Sequence, residues 1–298
     1  MRIGIDLGGS HIGIGVIDEN GKIVIKRETD LDVEKNSDIE EFIKTYLIDN
    51  IKSFIKNYNI KVIGVASPGT PNDGKITTLV NLGIQELDIK KLFQEICDIP
   101  VIIRNDAKCA GLAEKKYGSL KPYSDAAFIC LGTGIGGAVF TNNRLLEPKR
   151  NPGYEIGHMI IEKNGKLCNC GKRGCFETYC SMKRLKNKLI DLLLLPKETS
   201  SKELLKTLKQ QKQEESVKKA IDIYLDDLII GISNIIDIFE PEAICLGGSF
   251  VYFEDVLYER LIEKYYAKRY VFNKQSLPEL KLAMLGNDAG IIGAGEKL

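Results

Sequence analysis

Two stretches of this chain repeat one pattern, an apolar strand, a glycine-rich turn and a second apolar strand. The first has apolar segments at 2–7 and 12–18 around Asp6-Leu7-Gly8-Gly9-Ser10. The second runs Ala126–Leu131, then Gly132-Thr133-Gly134-Ile135-Gly136-Gly137, then Ala138–Thr141. One such unit in each half implies two related α/β domains facing each other across a shared ligand. The expected boundaries are 1–118, completed by a returning C-terminal helix at 287–298, and 119–286. A chain of 298 residues is long enough for two cores of that size. Turns of this kind expose backbone N–H groups that can cradle phosphate oxygens. Asp6, at a strand end, is placed to hold Mg²⁺ directly or through water. Taken alone, Asp-x-Gly-Gly-Ser also reads as a plain tight turn. The second glycine run is followed by a strand and not a helix, which excludes a dinucleotide fingerprint.

Between and beyond these units the patterning alternates helix and strand. Asn20-Gly21 signals a hairpin leading into a strand at 22–28. Ser37-Asp-Ile-Glu40 is a capping box ahead of apolar residues at helical spacing from Ile39 to Tyr58. Val62–Ala66 is a buried strand ended by Ser67-Pro68-Gly69. Val101–Arg104 is a strand ending in Asn105-Asp106, before a helix from Ala107 to Tyr117. The carboxyl end of such a strand is where open α/β sheets place ligands, although Asn-Asp there also serves as a helix cap. Helices are expected at Met182–Leu195 and Val217–Phe239, and strands at Ala243–Leu246 and Glu279–Leu285. The charged stretch Lys202–Gln213 reads as a solvated helix or an insertion with no chemical role.

The segment Glu155-Ile-Gly-His158 followed by Cys168-Asn-Cys170-Gly-Lys-Arg-Gly-Cys175-Phe-Glu177 gathers three of eight cysteines and one of only two histidines. Thiolates and imidazole are the ligands zinc prefers, and Cys₃His is a common structural tetrahedral set. Gly171 and Gly174 allow sharp turns between the sulfurs. Free thiols or a disulfide are the simpler alternatives, and C-x-C is not the usual C-x₂-C spacing. Glu155, Glu177 and the second ring nitrogen of His158 would together form a rigid surface rich in acceptors. Such a surface suits a sugar with many hydroxyls.

The compound motif Glu-x-Gly-His, then Cys-x-Cys-Gly-x-x-Gly-Cys-x-Glu, resembles the signature of the ROK family of sugar kinases and sugar-responsive repressors. The resemblance implies a two-domain actin-like ATPase (ribonuclease H-like) fold and an ATP-dependent hexose kinase. Mg²⁺ and ATP would be bound by Asp6, Gly8, Gly9, Ser10, Gly132, Thr133, Gly134, Gly136, Gly247 and Gly248. The hexose would be held by Gly69, Asn81, Asn105, Asp106, Glu155, His158 and Glu177, with Asp106 as general base. A structural Zn²⁺ would sit on His158, Cys168, Cys170 and Cys175. Glucose phosphorylated at its 6-hydroxyl is the expected reaction, and N-acetylmannosamine is the alternative substrate. The pattern departs from the family at Ser10-His11, where members usually read Thr-Lys. It departs again at Asn81-Leu-Gly, which lacks the usual proline and tryptophan.

A sugar-sensing repressor is a weaker expectation, because those relatives carry a DNA-binding segment ahead of the first strand. An ATPase module without a sugar would leave the acid and cysteine cluster unused. Net charge is +1, so no global field draws the chain to nucleic acid or to an anionic membrane. No apolar run approaches the ~20 residues of a membrane span, and a reducing, cytoplasmic setting suits the unpaired spacing of the cysteines. A homodimer is expected from the resemblance alone.

Overall fold

Alternation of isoleucine and glycine builds the first sheet. In β1 (Arg2–Leu7) and β2 (His11–Ile17), Ile3, Ile5, Leu7, Ile12, Ile14 and Val16 fall on one face, since successive strand residues point to opposite sides. The structure is a computed structural model that describes residues 1–32, 38–69, 71, 74–77, 79, 82–148, 154–211, 215–267 and 277–297. Within it the chain divides into two units, Met1–Lys121 with Asn287–Leu298, and Pro122–Glu147 with Tyr154–Gly286.

In the first unit β3 (Ile23–Asp30), β4 (Ile63–Ser67) and β7 (Val101–Asn105) complete a sheet ordered β3-β2-β1-β4-β7. The first three strands pair antiparallel, and β1, β4 and β7 run parallel. The apolar face packs against α1 (Ile39–Asn57), which buries Ile43, Leu47, Ile51 and Phe54 against it. Ser37 of the expected capping box lies outside the described residues; Asp38 caps the helix by accepting from the Glu41 N–H at 3.0 Å. A small antiparallel pair, β5 (Lys75–Ile76) with β6 (Leu87–Asp88), precedes the short helix α2 (Ile89–Gln94).

The opposite face of that sheet is nearly bare backbone. Gly4, Gly13, Gly15 and Gly64 all lie there, and the returning helix α9 (Ala289–Gly293) fills the space together with α3 (Asp106–Tyr117). A Cβ on Gly64 would lie 1.8 Å from the Gly295 amide nitrogen, and one on Gly4 would lie 2.0 Å from the Ile291 carbonyl oxygen. The expected helix from Asn287 to Lys297 is thus shorter, a 3₁₀ turn at Gly286–Asp288 followed by α9. Glu296 anchors the end: Arg2 reaches it at 2.8 Å, Tyr117 donates to it at 2.7 Å, and Lys116 also pairs with it.

The second unit repeats the topology. β8 (Ala126–Leu131), β9 (Ile135–Thr141) and β10 (Arg144–Leu145) pair antiparallel, and β11 (Ala243–Gly248) and β12 (Glu279–Leu282) run parallel to β8, in the order β10-β9-β8-β11-β12. Its core is completed by α4 (Glu177–Cys180), α5 (Met182–Leu192), α6 (Ser201–Gln211), α7 (Glu215–Phe239) and α8 (Glu254–Ala267). The expectation of a solvated helix or insertion at 202–213 is corrected here. Leu204 and Leu208, one turn apart, are completely buried, so α6 is an amphipathic core helix. Replacing Gly64 with Ala should cost about 3 kcal/mol, because only backbone lies in the path of the new methyl. Denaturant unfolding checks this, and a loss under about 0.5 kcal/mol would contradict the packing.

Candidate functional site

Four ligand atoms converge in the second unit. His158, Cys168, Cys170 and Cys175 place one nitrogen and three sulfurs within 4.8 Å of one another. Cys168 Sγ lies 3.6 Å from His158 Nδ1, and Cys170 Sγ lies 3.6 Å from Cys175 Sγ. A tetrahedral zinc with bonds of roughly 2.3 Å to sulfur and 2.0–2.1 Å to nitrogen needs edges of about 3.5–3.8 Å, so the donor set and its spacing both fit. The cysteines are free thiols. Burial first, and the neighbouring Cys170 and Cys168 thiols next, push Cys175 up to about 12. A bound cation would favour the thiolate form that zinc ligation requires.

Local geometry explains the convergence. The Cys168 N–H donates to the Lys172 carbonyl at 2.8 Å and the Gly171 N–H to the Cys168 carbonyl at 2.9 Å, closing a tight knuckle. Gly171 sits at φ 86° and Gly174 at φ 79°, where a side chain would be strained. Lys172 Nζ then donates to the His158 carbonyl at 2.9 Å, tying the knuckle to the 3₁₀ turn at Ile156–His158.

That turn is seated directly on β9. A Cβ on Gly157 would meet the Ile135 carbonyl oxygen at 2.0 Å, and one on Gly137 would meet Ile156 Cδ1 at 2.2 Å. The Ile135 N–H donates to Glu177 Oε2 at 2.9 Å, and a Cβ on Gly134 would fall 2.3 Å from the same oxygen. Glu177, expected as a sugar acceptor, therefore has one carboxylate oxygen engaged in bracing the second glycine turn. The cysteine loop and the turn at 132–135 are one packed assembly. Thr133 lies in it beside the start of α5, whose Lys183 N–H donates to the Gly132 carbonyl at 3.2 Å. A Cβ on Gly132 would meet nothing within 4 Å, so packing does not require glycine there. Gly136 lies in β9 between the two packed glycines. Gly247 and Gly248 do have packing reasons: the first abuts the Phe128 ring, and the second has φ 69° against the Leu131 carbonyl.

The remaining expected residues other than Glu155 belong to the first unit. Asp6 is the penultimate residue of β1, and the Gly8 N–H donates to the His11 carbonyl at 2.9 Å, closing the turn through Gly9 and Ser10. Burial first, and the negative charge of Asp106 next, push Asp6 up to about 6, while His11 and Lys26 oppose the shift. Two carboxylates that feel each other in this way form a donor set that a hard cation would relieve. Asp106 is exposed at the start of α3. Asn105 is the N-cap of that helix, accepting from the Ala107 and Lys108 N–H groups at 3.0 and 3.2 Å. Its Nδ2 donates to the Gly69 carbonyl at 3.0 Å, and Gly69 has φ 71°. So Asn105 fixes the 67–69 loop against the strand end. Asn81 lies outside the described residues, and Glu155 leads directly into the 3₁₀ turn.

One group escaped the sequence reading. Lys26 on β3 pairs with Glu28 at 2.6 Å and Asp288 at 2.5 Å, and His11 Nε2 lies 3.3 Å from Glu28 Oε1. The register of β2 with β3 brings His11 near Glu28, and the returning C-terminal segment brings Asp288 to Lys26. Replacing Gly157 with Ala should push the 3₁₀ turn off β9 and cost about 2 kcal/mol by overpacking. Chemical unfolding measures it, and unchanged stability would contradict the seating described.

Comparison with known proteins agrees with this architecture. Residues 2–296 match the ROK family. The chain is 32% identical over 269 residues to the xylose repressor of Bacillus subtilis, covering 84% of this chain and 64% of the repressor, so it spans under two thirds of that relative's length. It is 29% identical over 310 residues to the glucokinase of Thermotoga maritima, covering 98% and 95% of the two chains. The solved ROK hexokinase of Thermus thermophilus superposes with a TM-score of 0.81 at 26% identity, over 98% of this chain and 95% of that one. The fold is the two-domain actin-like ATPase fold expected from the sequence. Two sheets of one topology, a cysteine and histidine loop braced on the second glycine turn, and similarity along nearly the whole chain place this protein in the ROK family.

Proposed function

We propose that this chain is an ATP-dependent kinase that phosphorylates a hexose, glucose by preference, at its 6-hydroxyl. The observation that carries the reading is Asp106, exposed at the carboxyl end of β7 and felt electrostatically by Asp6. A base must meet the substrate at a surface, and Asp106 has the exposure that Asp6 lacks. Similarity to a glucokinase over 95% of that enzyme supports the choice of chemistry.

In this reading Asp106 accepts the proton of the attacking hydroxyl. Asn105 holds the Gly69 loop in place, and its amide has a second N–H to offer the sugar. Asn81, Glu155 and the Nε2 side of His158 add further sugar contacts. Glu177 contributes its second oxygen, the first being committed to Ile135. Ser10, Thr133 and the backbone of Gly8, Gly9, Gly134 and Gly136 face the phosphates, and the open space beside Gly132 supports an approach of that kind. Gly247 and Gly248 lie next in register to Cys130 and Leu131, at the end of β8 where the same turn begins. Asp6 would hold Mg²⁺, which when bound neutralises phosphate charge. Zinc, when bound to the four-residue cluster, holds the loop and takes no part in the chemistry.

A second reading, a sugar-binding regulator without catalysis, is favoured by the 32% identity to a xylose repressor. No helix among the described residues is long and apolar enough to cross a membrane.

Incubation of the pure protein with ATP, Mg²⁺ and a panel including glucose, N-acetylmannosamine and xylose separates these readings. Sugar-dependent ADP release is expected. Xylose binding without phosphoryl transfer would favour the regulator and sink the kinase. Asp106→Asn should lower kcat by roughly 10³-fold with little change in glucose affinity, and parental rates in that variant would remove it as base. Asp6→Asn should raise the Mg²⁺ concentration for half-maximal rate by about tenfold.

A further inference from the structure

We infer that the cavity at the start of α5 is where this protein supplies positive charge to the phosphate chain of its nucleotide, through the side chains of Lys183 and Arg184. The inference rests on the kinase reading and assigns residues that reading lacks. A nucleotide polyphosphate carries several negative charges, and phosphoryl transfer depends on neutralising them. None of the residues expected to face it, Asp6 to Ser10, Gly132 to Gly136, Gly247 and Gly248, is a cation. The cations nearest the first turn are already engaged by acids. Lys26 is held by Glu28 and Asp288, and His11 lies against Glu28.

The second unit carries a different arrangement. A cavity of about 200 Å³ opens beside Thr133, lined by Ser181, Lys183, Arg184 and Asn187. That volume has room for several waters or for phosphate oxygens. Among the described residues neither Lys183 nor Arg184 has an ion-pair partner, unlike Lys26, Lys264 and Arg260. The acid that also lines the cavity, Glu177, has one oxygen occupied by the Ile135 N–H. The Lys183 N–H is bonded to the Gly132 carbonyl, so the backbone bearing these cations is fixed to the turn. Two unpaired cations beside a hydroxyl and a glycine turn match an oxyanion, and an arginine fork suits phosphate geometry.

The test is calorimetric titration of the parent and the Lys183→Ala/Arg184→Ala variant with ADP, adenosine, tripolyphosphate and glucose. Both substituted residues are exposed, so the variant is expected to fold, and unchanged glucose affinity confirms that it has. ADP and tripolyphosphate should each bind at least tenfold more weakly to the variant, with adenosine and glucose unchanged. The charge-conserving Lys183→Arg/Arg184→Lys variant should recover most of the ADP affinity. Parental ADP affinity in the alanine variant would overturn the inference and leave the kinase reading standing. A parent chain that binds neither ADP nor tripolyphosphate would overturn both.

Discussion

The seating of the cysteine and histidine loop on β9 is the contact on which the geometry of the second glycine turn depends. Gly157 lies against the Ile135 carbonyl, Ile156 fills the space that Gly137 leaves, and Glu177 accepts the Ile135 N–H at 2.9 Å. Each of these joins a residue flanking the ligand cluster to the second glycine turn. A flexible glycine run would not hold its amides in one geometry unaided, because glycine gives up more conformational entropy on ordering than any other residue. Here the ordering is imposed from outside by a loop whose four candidate ligand atoms lie within 4.8 Å of one another.

The first unit solves a related problem differently. Its glycines lie within strands and not only in the turn, and they strip one face of the sheet so that α9 approaches the backbone itself. Gly290 of that helix comes so near Asp6 that a Cβ there would fall 2.4 Å from its carboxylate. The same packing that joins the chain's end to its beginning therefore buries Asp6 and raises its proton affinity. Asp106 stays exposed at the start of α3, capped from below by Asn105. The two acids are thus set apart by environment and not by residue type, Asp6 with a raised proton affinity and Asp106 exposed.

Much of this was legible in the sequence because its signals are local. Alternating Ile-Gly pairs, two strand–glycine turn–strand units and the clustered cysteines mark the strands, the repeat and the candidate metal ligands directly. What was hidden depends on partners far away in the chain. Nothing near Gly4, Gly13 or Gly64 says that a helix more than 200 residues later fills their face. Glu177 reads as a free acceptor until Ile135 is placed beside it, and Asn105 reads equally as a cap or a ligand contact. Composition also misled: α6 is so polar that Leu204 and Leu208, four residues apart, were outweighed by their charged neighbours. Similarly, α8 announces itself only by Leu257, Leu261 and Tyr265 at helical spacing after acidic residues.

If a metal-crosslinked loop holds the second glycine turn, then metal content and nucleotide affinity must change together. The direct measurement is elemental analysis of protein purified without added metal, followed by ADP titration before and after stripping with a chelator. About one zinc per chain is expected, with ADP affinity falling at least tenfold on stripping and returning when zinc is restored. A metal-free chain that binds ADP as tightly as the native preparation would contradict the account.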